Sequence, residues 1–301
     1  DNNGTRSQEA DMFFATLPVN TKGISFTPYA AYAYVGEDAM SDKSITAYDD
    51  TFGNVSGGLR GFTVMSLGTW GDASYQGSVD AYWLGFHTKV DTVENMSFQA
   101  EGAYGSVEAD QSINDRSGFW FRGLADYTGL ENVTPSLFGF YSSGEDDDIS
   151  DGSETFPYFA NDGYTMTQTG YIAGFGSNTN YGSYDYALMQ YVPHAMWQVG
   201  LAAKDFSFME KMSHTLAASY MMGTNDDSKK LVDDYLNGHG EMTTEDAAWE
   251  VDFNTTYSIY DNLDALLEVG YAQMDMDENL WGDDYLDDPA YKCVTGLKYS
   301  Y

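Results

Sequence analysis

A period of two, repeated from end to end, constrains this chain more than any other feature. In the last twelve residues, Ala290 to Tyr301, the residues Tyr291, Cys293, Thr295, Leu297, Tyr299 and Tyr301 fall on one face. Lys292, Val294, Gly296, Lys298 and Ser300 fall on the other. A strand with an apolar, aromatic-ended face and a polar face fits either an edge of a soluble sheet or a strand tilted across a hydrocarbon layer. The same alternation recurs upstream. Asp80 to Asp91 sets Tyr82, Leu84 and Phe86 against Trp83, His87 and Lys89. Ser117 to Tyr127 sets Phe119, Phe121 and Ala125 against Arg122 and Asp126. Asp246 to Tyr257 sets Trp249, Val251 and Phe253 against Glu250, Asp252 and Asn254.

Further segments of about 9–13 residues read the same way. They are Asp11 to Val19, Ile24 to Val35, Met96 to Val107, Val133 to Ser142, His194 to Asp205, Ser213 to Gly223 and Leu263 to Asp275. The links alternate. Asn20 to Gly23, Thr92 to Asn95, Thr128 to Asn132, Phe206 to Met212 and Ser258 to Asn262 are short. Gly36 to Val79, Ser143 to Pro193, Thr224 to Glu245 and the stretch to Pro289 are long and polar. Short turns on one side and long loops on the other predict an all-β fold: an antiparallel transmembrane β-barrel with periplasmic turns and acidic extracellular loops. A soluble sandwich imposes no such alternation. Parity adds an expectation. The last strand ends on the turn side while the first begins on the loop side, so an even-stranded closed barrel needs strands upstream of this sequence, and the terminal strand pairs with one of those.

Composition narrows the function. The formal net charge is -34, which excludes nucleic acid as a partner because phosphate contacts need Lys and Arg. Aromatics at 16% argue against disorder. A mean hydropathy of -0.42 and no apolar run near ~18 residues exclude a helical membrane protein and leave a barrel open. One cysteine, Cys293, excludes an internal disulfide framework.

Several stretches carry a resemblance: D-M-F-F-A-T-L-P-V-N-T-K-G from Asp11, G-F-W-F-R-G-L-A-D-Y-T-G-L from Gly118, P-S-L-F-G-F-Y-S-S-G-E-D from Pro135, N-T-T-Y-S-I-Y-D-N-L from Asn254 and the terminal Y-K-C-V-T-G-L-K-Y-S-Y. Together they resemble the outer membrane homotrimeric porins of sulfate-reducing bacteria, over the C-terminal two-thirds of such a porin. The resemblance implies a homotrimer of pores for small hydrophilic solutes in a Gram-negative outer membrane. These are wall patterns, not a catalytic signature.

In a barrel the polar strand faces line the lumen. Lys89, Arg122, Lys204, Lys292 and Lys298 are then the basic wall residues, and Asp91, Glu101, Asp126, Glu250, Asp252 and Glu268 the acidic ones. Such charges either create a transverse field that sorts ions or pair across strands and solvate the interior. The apolar content of Gly36 to Val79 points to a packed loop, either a constriction with Arg60 reaching across the lumen or a clamp or hairpin outside it. The Asp-rich stretches Glu145 to Glu154 and Asp275 to Asp288 invite a calcium reading. In the second, Leu280 stands where an EF-hand needs Gly and Leu286 where it needs Glu, so it is not an EF-hand. Loose binding of Ca or Mg at Asp283, Asp284, Asp287 and Asp288, bridging to lipopolysaccharide, is weighed against a solvated acidic loop. No firm cofactor is implied. The histidines His87, His194, His214 and His239 form no H-x-x-x-H pair, and His214 and Ser219 fall on opposite strand faces, so no enzyme is expected. Three functions remain: a general diffusion porin leaning toward cations, a non-conducting structural or adhesion barrel, and a secreted calcium-binding β-protein.

Overall fold

The computed structural model describes residues 10–36, 78–110, 112, 115–148, 151–157, 195–232, 242–282 and 288–300. Its strands are β1 (Ala10–Thr16), β2 (Val19–Thr21), β3 (Ile24–Val35), β4 (Val79–Val90), β5 (Met96–Ala109), β6 (Arg116–Tyr127), β7 (Thr134–Ser142), β8 (Met196–Phe206), β9 (Met212–Gly223), β10 (Ala247–Tyr260), β11 (Leu263–Asp275) and β12 (Ala290–Tyr299). All pairings between them are antiparallel and follow chain order in one 12-stranded sheet, with β2 lying beside β3. Short helical turns α1 (Lys229–Leu231) and α2 (Glu278–Trp281) decorate the long-loop side.

The segment expected as one strand, Asp11 to Val19, is interrupted at Leu17 and Pro18. Proline has no backbone N–H for the ladder. The register nonetheless runs on unbroken, from Thr16 opposite Tyr29 to Val19 opposite Phe26. Among the described residues, β1 and β12 are the two ends of the sheet and are not paired with each other.

The register defines two faces. One row runs His87, Glu101, Arg122, Phe140, Gln198, Met221 and Ala248 across β4 to β10. From Glu101 onward this row is buried at the Glu101, Arg122, Phe140, Gln198, Met221 and Ala248 positions. It is the inner face, because chain from the long loops lies over it. Gly105 and Gly118 oppose each other there, and the chain at Thr155 to Pro157 sits where their side chains would be. Toward the long-loop end this face is apolar, with Val35, Val79, Trp83, Val107, Trp120, Phe156 and Met196 in one cluster.

The opposite face is open and apolar. Leu84 is 63% exposed and Leu201 65%. In water this would be a large uncompensated patch; against lipid it needs no partner. Aromatic rings bound it on both sides. On the loop side lie Tyr32–Tyr82 at 5.3 Å, Phe119–Tyr141 at 5.5 Å, Trp197–Tyr220 at 5.8 Å, and Trp249–Tyr271–Tyr291 at 4.8 and 5.0 Å. On the turn side Phe98, Tyr127, Tyr257, Tyr260 and Tyr299 are exposed, beside the cluster of Phe206, Phe208, His214 and Phe253. Trp249 to Tyr257 spans roughly 27 Å of strand at ~3.4 Å per residue, or roughly 21 Å of height at a tilt near 40°. That is the scale of an apolar band between two aromatic girdles.

Candidate functional site: the inner wall and its turn-side cavity

Some of the charged side chains on the inner face meet in ion pairs. Glu101 and Arg122 stand directly opposite each other on β5 and β6 and meet at 3.5 Å, both 3% exposed. The second Arg122 nitrogen, Nη2, is buried without a hydrogen-bond partner. Asp126 on β6 accepts from Lys204 on β8 at 2.7 Å and from the Ser136 hydroxyl on β7 at 2.5 Å, so one carboxylate ties three strands. Lys89 and Asp91 form a third pair at 2.9 Å, exposed at the turn. Asp91 lies just past β4, and the Ser97 hydroxyl, then Lys89, hold its carboxyl below the usual range.

The other wall candidates are distributed unevenly. Glu250, Asp252 and Glu268 are buried on the inner face of β10 and β11. Lys298 is exposed and pairs in register with Asp264 across the β11–β12 ladder. Lys292 pairs in register with Gly270, and the placement of its side chain lies outside the description. Arg60, the rest of the 37–77 stretch, Asp283, Asp284 and Asp287 lie outside the described residues; Asp288 is exposed.

At the turn side the inner face opens into a polar cavity of about 640 Å³ between the β4–β5 hairpin and β6 to β8. Lys89, Asp91, Asp126 and Lys204 all line it, together with Glu94 and Asp205. At the loop side the face is covered instead. Arg116 donates from Nε to the Thr155 carbonyl at 3.0 Å and from Nη2 to the Thr155 hydroxyl. Trp83 Nε1 donates to the Pro157 carbonyl at 2.5 Å. Arg116 and Ser153 form a short parallel bridge, in which the Ser117 N–H donates to the Ser153 carbonyl at 2.8 Å and the Ser153 N–H to the Asp115 carbonyl at 2.9 Å. Residues 153–157 are thus seated inside the wall. Asn225 and Asp246, both fully buried, lace the neighbouring loops together: Asn225 accepts from the Glu145 N–H and donates to the Met242 carbonyl, while Asp246 accepts from Thr243, Asp277 and the Trp281 indole.

The inward loop carries an acidic group of its own. Carboxylate oxygens of Asp146, Asp151 and Glu154 lie within 4.8 Å of one another. Burial, and then Glu145, Asp146 and Asp151 nearby, push Glu154 up to about 7, opposed by a hydrogen bond from the Asp146 N–H. Arg116 and the covering segment escaped the sequence reading. Arg116 is one residue before the strand read from Ser117, yet it shares the face of Gly118, Trp120 and Arg122, so extending the period by one position finds it. Nothing in the local sequence near Phe156 signals that it turns inward.

No protein-family model and no curated protein matches the chain, so the resemblance to the porins of sulfate-reducing bacteria rests on the segments quoted above. Among solved structures the chain is similar to the outer membrane channel DcaP of Acinetobacter baumannii, at 11% identity and a TM-score of 0.41 over 96% of this chain and 84% of that one.

Proposed function

We propose that this chain forms the wall of a passive channel that lets small hydrophilic solutes and ions cross a Gram-negative outer membrane. One observation carries the reading: a sheet whose outer face is exposed, apolar and banded by aromatics, while its inner face holds ion pairs and a polar cavity. A wall of that kind separates lipid from water. The excess negative charge of the loops gives the mouth a cation preference, since carboxylates near a low-dielectric channel concentrate cations and repel anions. Homotrimer formation and contact with lipopolysaccharide, bridged by loosely held Ca or Mg, belong to the same proposal.

Conductance across a planar bilayer tests it. Reversal potentials should favour cations at low salt and relax toward neutrality at ~1 M, where the Debye length falls to about 3 Å. Neutralising Asp283, Asp284, Asp287 and Asp288 together should reduce the low-salt preference and leave the pore open. Anion selectivity at low salt would contradict the acidic-mouth mechanism.

The packed long-loop half of the inner face favours a second reading, a non-conducting barrel used for anchoring or adhesion. Absence of any step conductance from protein that folds normally into vesicles would establish that reading over the first. A requirement for detergent during extraction separates both from a secreted β-protein.

A further inference from the structure

The turn-side cavity has an unequal charge inventory. Four carboxylates line it, Asp91, Glu94, Asp126 and Asp205, against two ammonium groups, Lys89 and Lys204. Both ammonium groups are committed, Lys89 to Asp91 at 2.9 Å and Lys204 to Asp126 at 2.7 Å. Glu94 and Asp205 are exposed and take part in no salt bridge among the described residues. The cavity therefore presents two uncompensated negative charges, and they stand at opposite ends of it. Glu94 lies in the turn between β4 and β5, and Asp205 lies at the end of β8. From β5 to β8 is three strand spacings, ~14 Å at ~4.8 Å each. Gln99 on β5 and Thr134 on β7 also line it and supply oxygen acceptors.

The volume of about 640 Å³ falls in the range of small-ligand pockets, roughly 300–1,000 Å³. An anionic solute meets two free carboxylates and no free cation here. A neutral solute gains hydrogen bonds but no charge contact. A linear molecule with ammonium groups at both ends meets one free carboxylate at each end and oxygen acceptors between them. We propose that this cavity is a binding subsite for small organic cations of the polyamine type. The proposal rests on the channel reading for its position along a solute path, but the binding itself does not require conduction.

The test uses the full chain folded in detergent, with spermidine and glutarate as probes in isothermal titration at about 50 mM salt, where screening is moderate. Spermidine should bind and glutarate should not. The double variant E94Q/D205N should weaken spermidine roughly three- to tenfold, the scale of two solvent-exposed charge contacts. Both positions are exposed, and asparagine tolerates the positive φ of 60° at Asp205. E210Q, on the β8–β9 turn outside the cavity, should bind spermidine as the parent does. Equal binding of both probes, no spermidine binding, or an unchanged affinity in the double variant overturns the proposal. Bilayer recordings then separate the two ideas. Potassium current without spermidine binding leaves the channel reading standing and removes the subsite. Spermidine binding without any current does the reverse.

Discussion

Leu201 is the position where membrane and water make opposite demands. It is 65% exposed on the outer face, between Leu137 on β7 and Ala218 on β9. Trp197 lies ~14 Å and Phe206 ~17 Å away along the same strand at ~3.4 Å per residue, so Leu201 sits near the middle of the apolar band. In a water-exposed sheet, Leu201→Arg is an ordinary surface change, within about 0.5 kcal/mol of neutral. At a bilayer midplane it costs about 2–4 kcal/mol, a loss of roughly 30- to 700-fold in the folding equilibrium. Guanidinium unfolding of protein inserted in phosphatidylcholine vesicles, followed by tryptophan fluorescence, measures the difference. The depth dependence is the stronger control. Tyr260 is also 65% exposed but lies on the turn-side girdle, so Tyr260→Arg should cost only about 0–1 kcal/mol. Equal stabilities for Leu201→Arg and the parent, or equal costs at the two depths, would refute the assignment of this face to lipid. Val251→Arg, one strand beyond Ala218, should follow Leu201.

Glu101 and Arg122 are buried together, so Glu101→Gln or Arg122→Met alone should cost about 3–5 kcal/mol while the double substitution recovers most of it; additive losses in the double-variant cycle would show that the pair is not coupled. At Gly118 an added methyl would stand 2.5 Å from the Glu154 carbonyl oxygen and from the Phe156 nitrogen, so Gly118→Ala should unseat residues 153–157 and speed proteolysis there without unfolding the sheet; unchanged cleavage would mean the segment is not held there. Glu154 has a folded-state value of about 7 against an ordinary 4.5, so the seated loop binds the extra proton between those values. Seating is therefore favoured at low pH and weakens as pH rises from about 4.5 through 7. Amide exchange of residues 153–157 should be slower at pH 5.5 than at pH 8 after correction for intrinsic rates, and Glu154→Gln should remove that dependence.

The strands were legible because alternation is a property of each segment alone. Trp249, Val251 and Phe253 against Glu250 and Asp252 announce their faces without any neighbour. What needed the register was not legible. Tyr32, Tyr82, Tyr104 and Phe119 read as scattered apolar residues until pairing lines them up with the rings of β7 to β12, and only then do two girdles appear. The same holds for Gly105 and Gly118, far apart in sequence and directly opposite in the sheet. Each looks like an ordinary strand glycine that weakens the ladder. Opposed, they open a trough deep enough for a backbone, and the chain at Thr155 to Pro157 fills it. The charges on the wall follow this logic too. Alternation correctly assigned Arg122 and Glu101 to one face, but whether they sort ions in water or neutralise each other under a covering loop depends on what lies above them. Here both are 3% exposed, which favours mutual neutralisation at mid-wall, and the uncompensated charge sits instead at the turn side, on Glu94 and Asp205. Those two escaped a reading built on strand faces because one lies in a turn and the other at a strand end. On the proposed channel reading, an acidic rim at the turn side would sort solutes by charge where they are still partly hydrated, and so with a preference that salt screens.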